Sequence, residues 1–421
     1  MNAIKQGYKQ TKVGIIPEDW EVVRLGEVVE VLTDYHANGS YEILKDNVEL
    51  LESEEYAVMV RTTNFEQNNF DNNLIYINEH SYNFLKKSKV YFGDIIINKI
   101  ANAGATYFMP KINKPVSLGM NLFLLRIKNK YSKFFIYYQI KKREVFLKAL
   151  ASGTSTLTIT KDDVRNFRIP TPFFKEQEKI AEILATWDEA ISLHVKLIGE
   201  KEQLKIGLMQ KLLSGEVRFE GFCDEWENIS LNTLFDFKKG QELSKEKLDE
   251  NGIFECILYG ELYTTYSEVI KNVQSKTNIQ EGIKSKIDDI LIPASTTTSA
   301  IDLAIASTIQ KNDVLLGGDI NILRKKKNNI NGEFIAKYLT HIKKIEIAKY
   351  AQGITIIHLY TKDFKHLKIK LPSLLEQQKI AEVLSLADDE INLLKTELEE
   401  LNLQKKALMQ KLLTGQVRVK V

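Results

Sequence analysis

EQEKIAEILATWDEAI at 176–191 returns as EQQKIAEVLSLADDEI at 376–391, and this pair decides the architecture. Further on, GLMQKLLSGEVR at 207–218 returns as ALMQKLLTGQVR at 407–418, so both pairs share one offset of 200 residues. Between 176–218 and 376–418 no gap is needed, although the letters between the motifs drift. Constant length under changing letters implies a rigid rod. Neither copy holds a proline from Glu176 to Leu213 or from Glu376 to Leu413, and both are rich in Leu, Glu, Lys, Gln and Ala, which predicts helix. In the second copy Ile380, Leu384, Ala387, Ile391, Leu394, Leu398, Leu401, Lys405, Leu408 and Leu412 alternate three and four apart, a coiled-coil seam. The first copy keeps Ile180, Leu184, Trp187, Ile191, Ile198, Leu208 and Leu212 but puts His194, Lys201 and Lys205 on the seam. With Gly199 and Gly207 inside, it would be a weak helix alone. At 1.5 Å per residue each rod measures roughly 57 Å, and the long segment between them lets the two pair antiparallel. Gly215 and Gly415 are placed to cap the C-terminal ends.

Working outward, the rest of the chain repeats more faintly. WEVVRLGEVVEV (20–31) matches WENISLNTLFDF (226–237), GDIIINKI (93–100) matches DDILIPAS (288–295), and GMNLFLLR (119–126) matches GDINILRK (318–325). LASGTSTLTITKDDVRNFRIPTP (150–172) matches YAQGITIIHLYTKDFKHLKIKLP (350–372). Each unit therefore reads as a leading tryptophan, several short strands, a basic aromatic helix, a Gly-Thr/Ser turn, a strand, a proline and a long helix. Trp20 and Trp226 read as core anchors, and Leu208, Met209, Leu212 and Leu213 as packing residues.

Composition narrows the chemistry. The 421 residues suit two to four globular units, and 58 basic against 56 acidic residues leave a net charge of +2 that neither demands nor excludes a polyanion. Charge is uneven: 41–56 is acidic, while 128–148 and 323–344 are basic with interleaved aromatics, a pattern suited to nucleic acid or to a solvated helix. Cys223 and Cys256 match no disulfide framework and no zinc spacing, and fit a reducing cytoplasm. No stretch reaches the length of a membrane span and the N-terminus has no apolar core after its lysines, so a soluble, unexported protein is expected. A methyltransferase would need a glycine-rich cofactor turn and an Asn-Pro-Pro-Tyr loop, yet the chain has no Pro-Pro pair. There is no Gly-Lys dipeptide for a P-loop, and the six histidines are scattered. Asp162/Asp163 and Asp288/Asp289 read as solvated turns or N-caps rather than nuclease carboxylates.

With these residues in view, the chain resembles the specificity (S, HsdS-type) subunits of Type I DNA restriction-modification enzymes. The resemblance rests on IPEDW (16–20) with RLGEV (24–28), on Pro-x3-EQ-x-KIAE at 172–182 and 372–382, and on LMQKLL[ST]G-x-VR at 208–218 and 408–418. It implies an α+β fold: two tandem α/β-mixed target recognition domains separated by two long helices that form an antiparallel coiled coil, a pseudo-twofold internal repeat. The divisions are 1–171 and 219–371 for the recognition domains, and 172–218 and 372–421 for the helical spacers. It further implies that each domain reads one half of an interrupted target in double-stranded DNA, while the helices set the spacing and dock two methyltransferase (modification) subunits. Restriction/translocase subunits complete such a complex. Adenine-N6 methylation, cleavage and translocation, with S-adenosylmethionine, ATP and Mg, then belong to partner subunits, leaving no cofactor, catalytic residue or metal here.

Polar residues in non-helical loops are the candidates for base contact, because base edges need directed donors and acceptors. In the first domain these are Arg61, Thr62, Thr63, Asn64, Lys99, Asn102, Gly104, Thr154, Ser155 and Thr156. In the second they are Tyr259, Gly260, Ser295, Thr296, Thr297, Thr298, Gly353 and Thr355. Each also fits an ordinary Ser/Thr/Gly turn. Three other readings stay open: a specificity chain of a Type IIB-like or methylation-only system, an enzyme with an unrecognised nuclease site, and a coiled-coil scaffold without DNA readout.

Overall fold

The computed structural model describes residues 4–241 and 243–420; the outer limits 1 and 421 of the expected divisions lie outside the described residues. The chain divides into two compact units, Met1–Val195 with Glu397–Val421, and Lys196–Thr396. Each unit thus combines one globular domain, the opening of the helix that follows it, and the closing part of the other long helix.

In the first unit a four-stranded antiparallel sheet orders Val29–Asp34, Leu122–Ile127, Ile95–Asn98 and Thr106–Phe108. Ile95–Asn98 is buried on both faces, and its run of three isoleucines suits a central strand. A second sheet orders Ile75–Ile77, Ala57–Val60, Val116–Leu118 and Lys89–Val90. The domain closes on itself where Glu21–Arg24 pairs antiparallel with Arg168–Thr171, just ahead of the long helix Phe174–Ser214. In the second unit the main sheet orders Phe235–Lys239, Ile320–Lys325, Asp289–Pro293, Ser307–Ile309 and Val269–Ile270. Its closure repeats the first: Glu227–Ser230 pairs with Lys368–Leu371 ahead of the helix Leu374–Leu412.

The helices pair antiparallel within each unit. In the first, Lys405 bonds Asp188 and His194 lies 3.7 Å from Glu397; in the second, Lys205 bonds Asp388, Lys201 lies 2.5 Å from Glu390, and Lys395 lies 2.7 Å from Glu202. Buried and half-buried positions follow the expected seam, from Ile391 through Leu394, Leu398, Leu401, Lys405 and Leu408 to Leu412. The helix with two glycines is continuous because its seam lysines meet acidic residues of the other helix, a tertiary contact that overrides propensity.

The repeated motifs lock each unit. Arg418 clamps Glu176 at 2.7 and 2.8 Å and Asp19 at 2.9 and 2.7 Å, while Arg218 clamps Glu376 at 2.8 and 2.7 Å. Glu176 is fully buried, and the guanidinium fork of Arg418 supplies N–H donors to both of its carboxylate oxygens. The neighbouring glutamines hold the domain helices: Gln177 accepts from the Ser132 N–H and donates to the Pro172 carbonyl, and Gln377 does the same with Asn331 and Pro372. Gly215 and Gly415 sit at φ 76° and 69°, the left-handed conformation of a helix C-terminus.

Two features depart from the sequence reading. Four aromatic residues of the basic segments are core, although Phe146 stays exposed: Phe135, Tyr138, Phe334 and Tyr338 are buried on the helices Lys133–Lys142 and Gly332–His341. Trp20 meets Phe135 edge-on, and Trp226, only half-buried, meets Phe334 likewise and donates to Glu376. Even Lys337 is 1% exposed, paired with Asp388 at 2.8 Å. These helices therefore seat the domains on the rods. The second departure concerns the acidic pairs. Asp163 lies at a helix start, accepting from the N–H of the N-cap Thr160 in a capping box, but Asp289 is buried in an ion pair with Arg324 and Asp288 binds Lys325.

Candidate nucleic-acid interface

Three separated stretches of the first domain meet at one end of its main sheet. Ile100 bridges to Thr158 and Ala101 donates to the Leu157 carbonyl, which ties 99–104 to the glycine loop. Thr62 donates to Asn98 at 3.0 Å and Asn102 to Glu66 at 3.2 Å, which ties in the short helix Thr62–Glu66. The candidates divide by exposure. Thr63, Asn102, Thr154, Ser155 and Thr156 are exposed. Arg61 and Thr62 are half-buried, and Arg61 donates to the Asn73 carbonyl. Asn64 is buried, accepting from the Arg61 N–H and donating to Asn69. Gly104 is buried at φ 85°, where a Cβ would press on the backbone of Lys148. Asn64 and Gly104 thus shape the loops that carry their neighbours.

Lys99 lies 3.2 Å from Asp34, which also accepts from Lys161 at 2.9 Å. Burial works to raise the Asp34 carboxyl, but the bonds from Lys161 and Lys99 outweigh it and hold the group below its ordinary value. Two ammonium groups are thereby fixed at the surface beside the loops.

The second domain builds the same convergence. Ser295 and Thr296 pair with His358 and Ile357, joining the threonine run to the second glycine loop. Tyr263 donates to the Ser295 carbonyl, and burial pushes its phenol well above its ordinary value, so it remains a donor. Ser295 and Thr296 are buried, Thr297 and Thr298 exposed, and Thr298 donates to Asp302 at 2.6 Å. Gly260 is half-buried at the start of the short helix Glu261–Thr264. Tyr259 borders an open cleft of about 960 Å³ with Lys239, Gln241, Lys247 and Asp319.

The two glycine loops are alike. Ser152 and Thr158 exchange two backbone hydrogen bonds, as do Gln352 and His358. Gly153 and Gly353 sit at φ 142° and 128°, and a Cβ would fall 2.3 Å from the Thr156 carbonyl oxygen or 2.0 Å from that of Ile356. Gly353 and Thr355 are exposed, and Ile354 between them is 98% exposed. Among the described residues no cluster of His, Cys, Asp or Glu could hold a metal ion, and no helix is long and apolar enough to cross a membrane.

The duplicated architecture has a family counterpart: the model for the Type I restriction modification DNA specificity domain matches twice, over 17–203 and 223–403. The chain belongs to that family. Two relatives of this specificity-subunit family come from Methanocaldococcus jannaschii. The putative type I restriction enzyme MjaX specificity subunit is 28% identical over 99% of this chain and 98% of its own, and the MjaVIII specificity subunit is 26% identical over 99% and 97%. The crystal structure of a Type I S subunit from M. genitalium shares the fold, with a TM-score of 0.58 at 19% identity over 93% of this chain and 96% of that one.

Residues that sequence reading missed are Asp34, Asn98, Lys161, Lys239 and Asp319. Val29 pairs with Ile127 but Val31 with Arg126, so Glu30 is a bulge absent from the second domain. The bulge shifts the repeat by one residue and hides that Asp34 and Lys239 hold the same strand position.

Proposed function

We propose that this specificity subunit reads a two-part target in double-stranded DNA, one half with each domain, and carries no catalysis of its own. The observation behind this reading is the convergence of three separated polar stretches at one sheet end, built twice on a common frame with different side chains. Such a pair suits two short elements of different sequence. The long helices set the gap between half-sites, and their internal repeat offers two equivalent docking sites to two methyltransferase subunits. Restriction/translocase subunits join the full complex. S-adenosylmethionine, ATP and Mg act in those partners, and the cytoplasm is the place of work. The exposed candidates, Thr63, Asn102, Thr154 to Thr156, Tyr259, Thr297, Thr298, Gly353 and Thr355, are among the residues assigned to DNA.

Modification mapping tests this directly. Co-expressing the chain with a methyltransferase subunit of its own system, in a methylation-free host, should yield N6-methyladenine in an interrupted two-part motif that vanishes without this chain. Methylation that is unchanged when the chain is removed would refute the assignment.

The glycine loops give a second expectation. Gly353→Ala would force a Cβ against the Ile356 carbonyl and distort an exposed loop that adds little to the core. Methylation should fall at least about tenfold while the melting temperature barely moves. A fall in both together would make the loop structural.

A further inference from the structure

Three charged contacts that lock the two units are duplicated. Asp94–Arg126 returns as Asp289–Arg324, Glu176–Arg418 as Glu376–Arg218, and Asp188–Lys405 as Asp388–Lys205. One cluster is not. Asp34 lies opposite Phe123 in its ladder, and Lys239 lies opposite Asn321 in the matching ladder, so the two occupy one position with opposite charge. The Lys99 N–H bonds the Asn121 carbonyl as the Ala294 N–H bonds that of Asp319, which equates Lys99 with Ala294 and Asn121 with Asp319. The first domain therefore presents two lysines on a buried carboxylate. The second presents Asp319, which accepts from Ser295 at 3.0 Å and lies 3.2 Å from Lys239. The three pairs that lock the common frame are repeated, whereas this cluster, at the candidate interface, is not.

We propose that this inverted cluster determines which bases each domain accepts: Lys99 and Lys161 donate to a purine edge in one half-site, and Asp319 accepts from a base amino group in the other. The assignment rests on the DNA-reading function proposed above. Asp34 is only 8% exposed and serves as a positioning residue, aiming both lysines. An ammonium carries three N–H groups, so each lysine has donors beyond its carboxylate bond. Guanine N7 and O6 are the matching acceptors in the major groove. Asp319, supported by Ser295 and Lys239, suits the amino group of cytosine or adenine. Lys239, with its side chain 60% exposed, reaches the open cleft beside it.

The test uses the full chain co-expressed with its methyltransferase subunit and reads the methylated motif by sequencing. Lys99→Met and Lys161→Met should relax discrimination at a position in one half-site by about tenfold, leaving the other half unchanged. Asp319→Asn should alter only that other half. Weaker methylation with both half-sites intact would overturn the proposal, because loss spread evenly over sequences marks a phosphate contact. Should Lys99→Met abolish methylation by misfolding, Lys161→Met decides the first half-site by the same criterion, and Lys239→Met at its exposed strand end tests the second. If the unaltered chain directs no two-part motif, the DNA-reading function itself falls, and this assignment with it. A motif that is present but insensitive to all four substitutions overturns the assignment alone.

Discussion

Leu413→Ala should destabilise the first unit by about 2–5 kcal/mol, the cost of a cavity in a closed core. Leu413 is fully buried in one cluster with Trp20, Phe135, Ile180 and Leu184, although it stands near the far end of the chain. Its carbonyl accepts a buried hydrogen bond from Gln139, 274 residues earlier. The counterpart Leu213 is equally buried with Phe334, Ile380 and Leu384, so Leu213→Ala should weaken the second unit by a similar amount. Urea unfolding followed by hydrogen exchange checks both. Protection should fall in residues 20–184 for the first variant and in 229–384 for the second. Equal loss of protection in both regions, or none, would contradict the division into two cores.

Replacing residues 12–170 with the matching domain of another family member should change one half-site and leave the other unaltered. The exchange is feasible because Glu21–Arg24 and Arg168–Thr171 pair with each other, so the chain enters and leaves the domain at one closed seam, and the first cut falls just ahead of it in the turn between Tyr8–Thr11 and Gly14–Pro17. A graft must keep two contacts: the backbone N–H of Ser132 that Gln177 accepts from, and the Gln139 side chain that reaches Leu413. Losing either would leave a buried polar group unpaired and confuse instability with altered reading. Methylation mapping distinguishes the outcomes, and changes in both half-sites at once would contradict independent reading.

Legibility varied with how local the deciding contact was. The rods could be read because helix periodicity and constant repeat length are properties of neighbouring residues. The purpose of the EQ and VR motifs could not, since Glu176 and Arg418 meet across 242 residues. Periodicity also cannot say what an amphipathic face meets, which is why the aromatics around Phe135 and Phe334 suited nucleic acid on paper but form the core. The loop stretches were visible as Gly/Ser/Thr clusters, yet the burial of Asn64, Ser295 and Thr296 depends on strands and loops that arrive from elsewhere. One bulged residue, Glu30, was enough to conceal the correspondence between Asp34 and Lys239.

The late closure of the first core bears on synthesis. The N-terminal domain leaves the ribosome hundreds of residues before Leu412, Leu413 and Arg418 exist, and until they arrive Glu176 and the surface around Trp20 lack their lid. Chains are made at only several residues per second, so this nascent domain stays open for tens of seconds. The second domain waits far less, because Leu212, Leu213 and Arg218 precede it. A chain broken off early would keep its second domain's lid but leave the first uncovered, an apolar surface of the kind chaperones and proteases bind. Closure of the first core therefore waits for the end of the second long helix, 242 residues after Glu176.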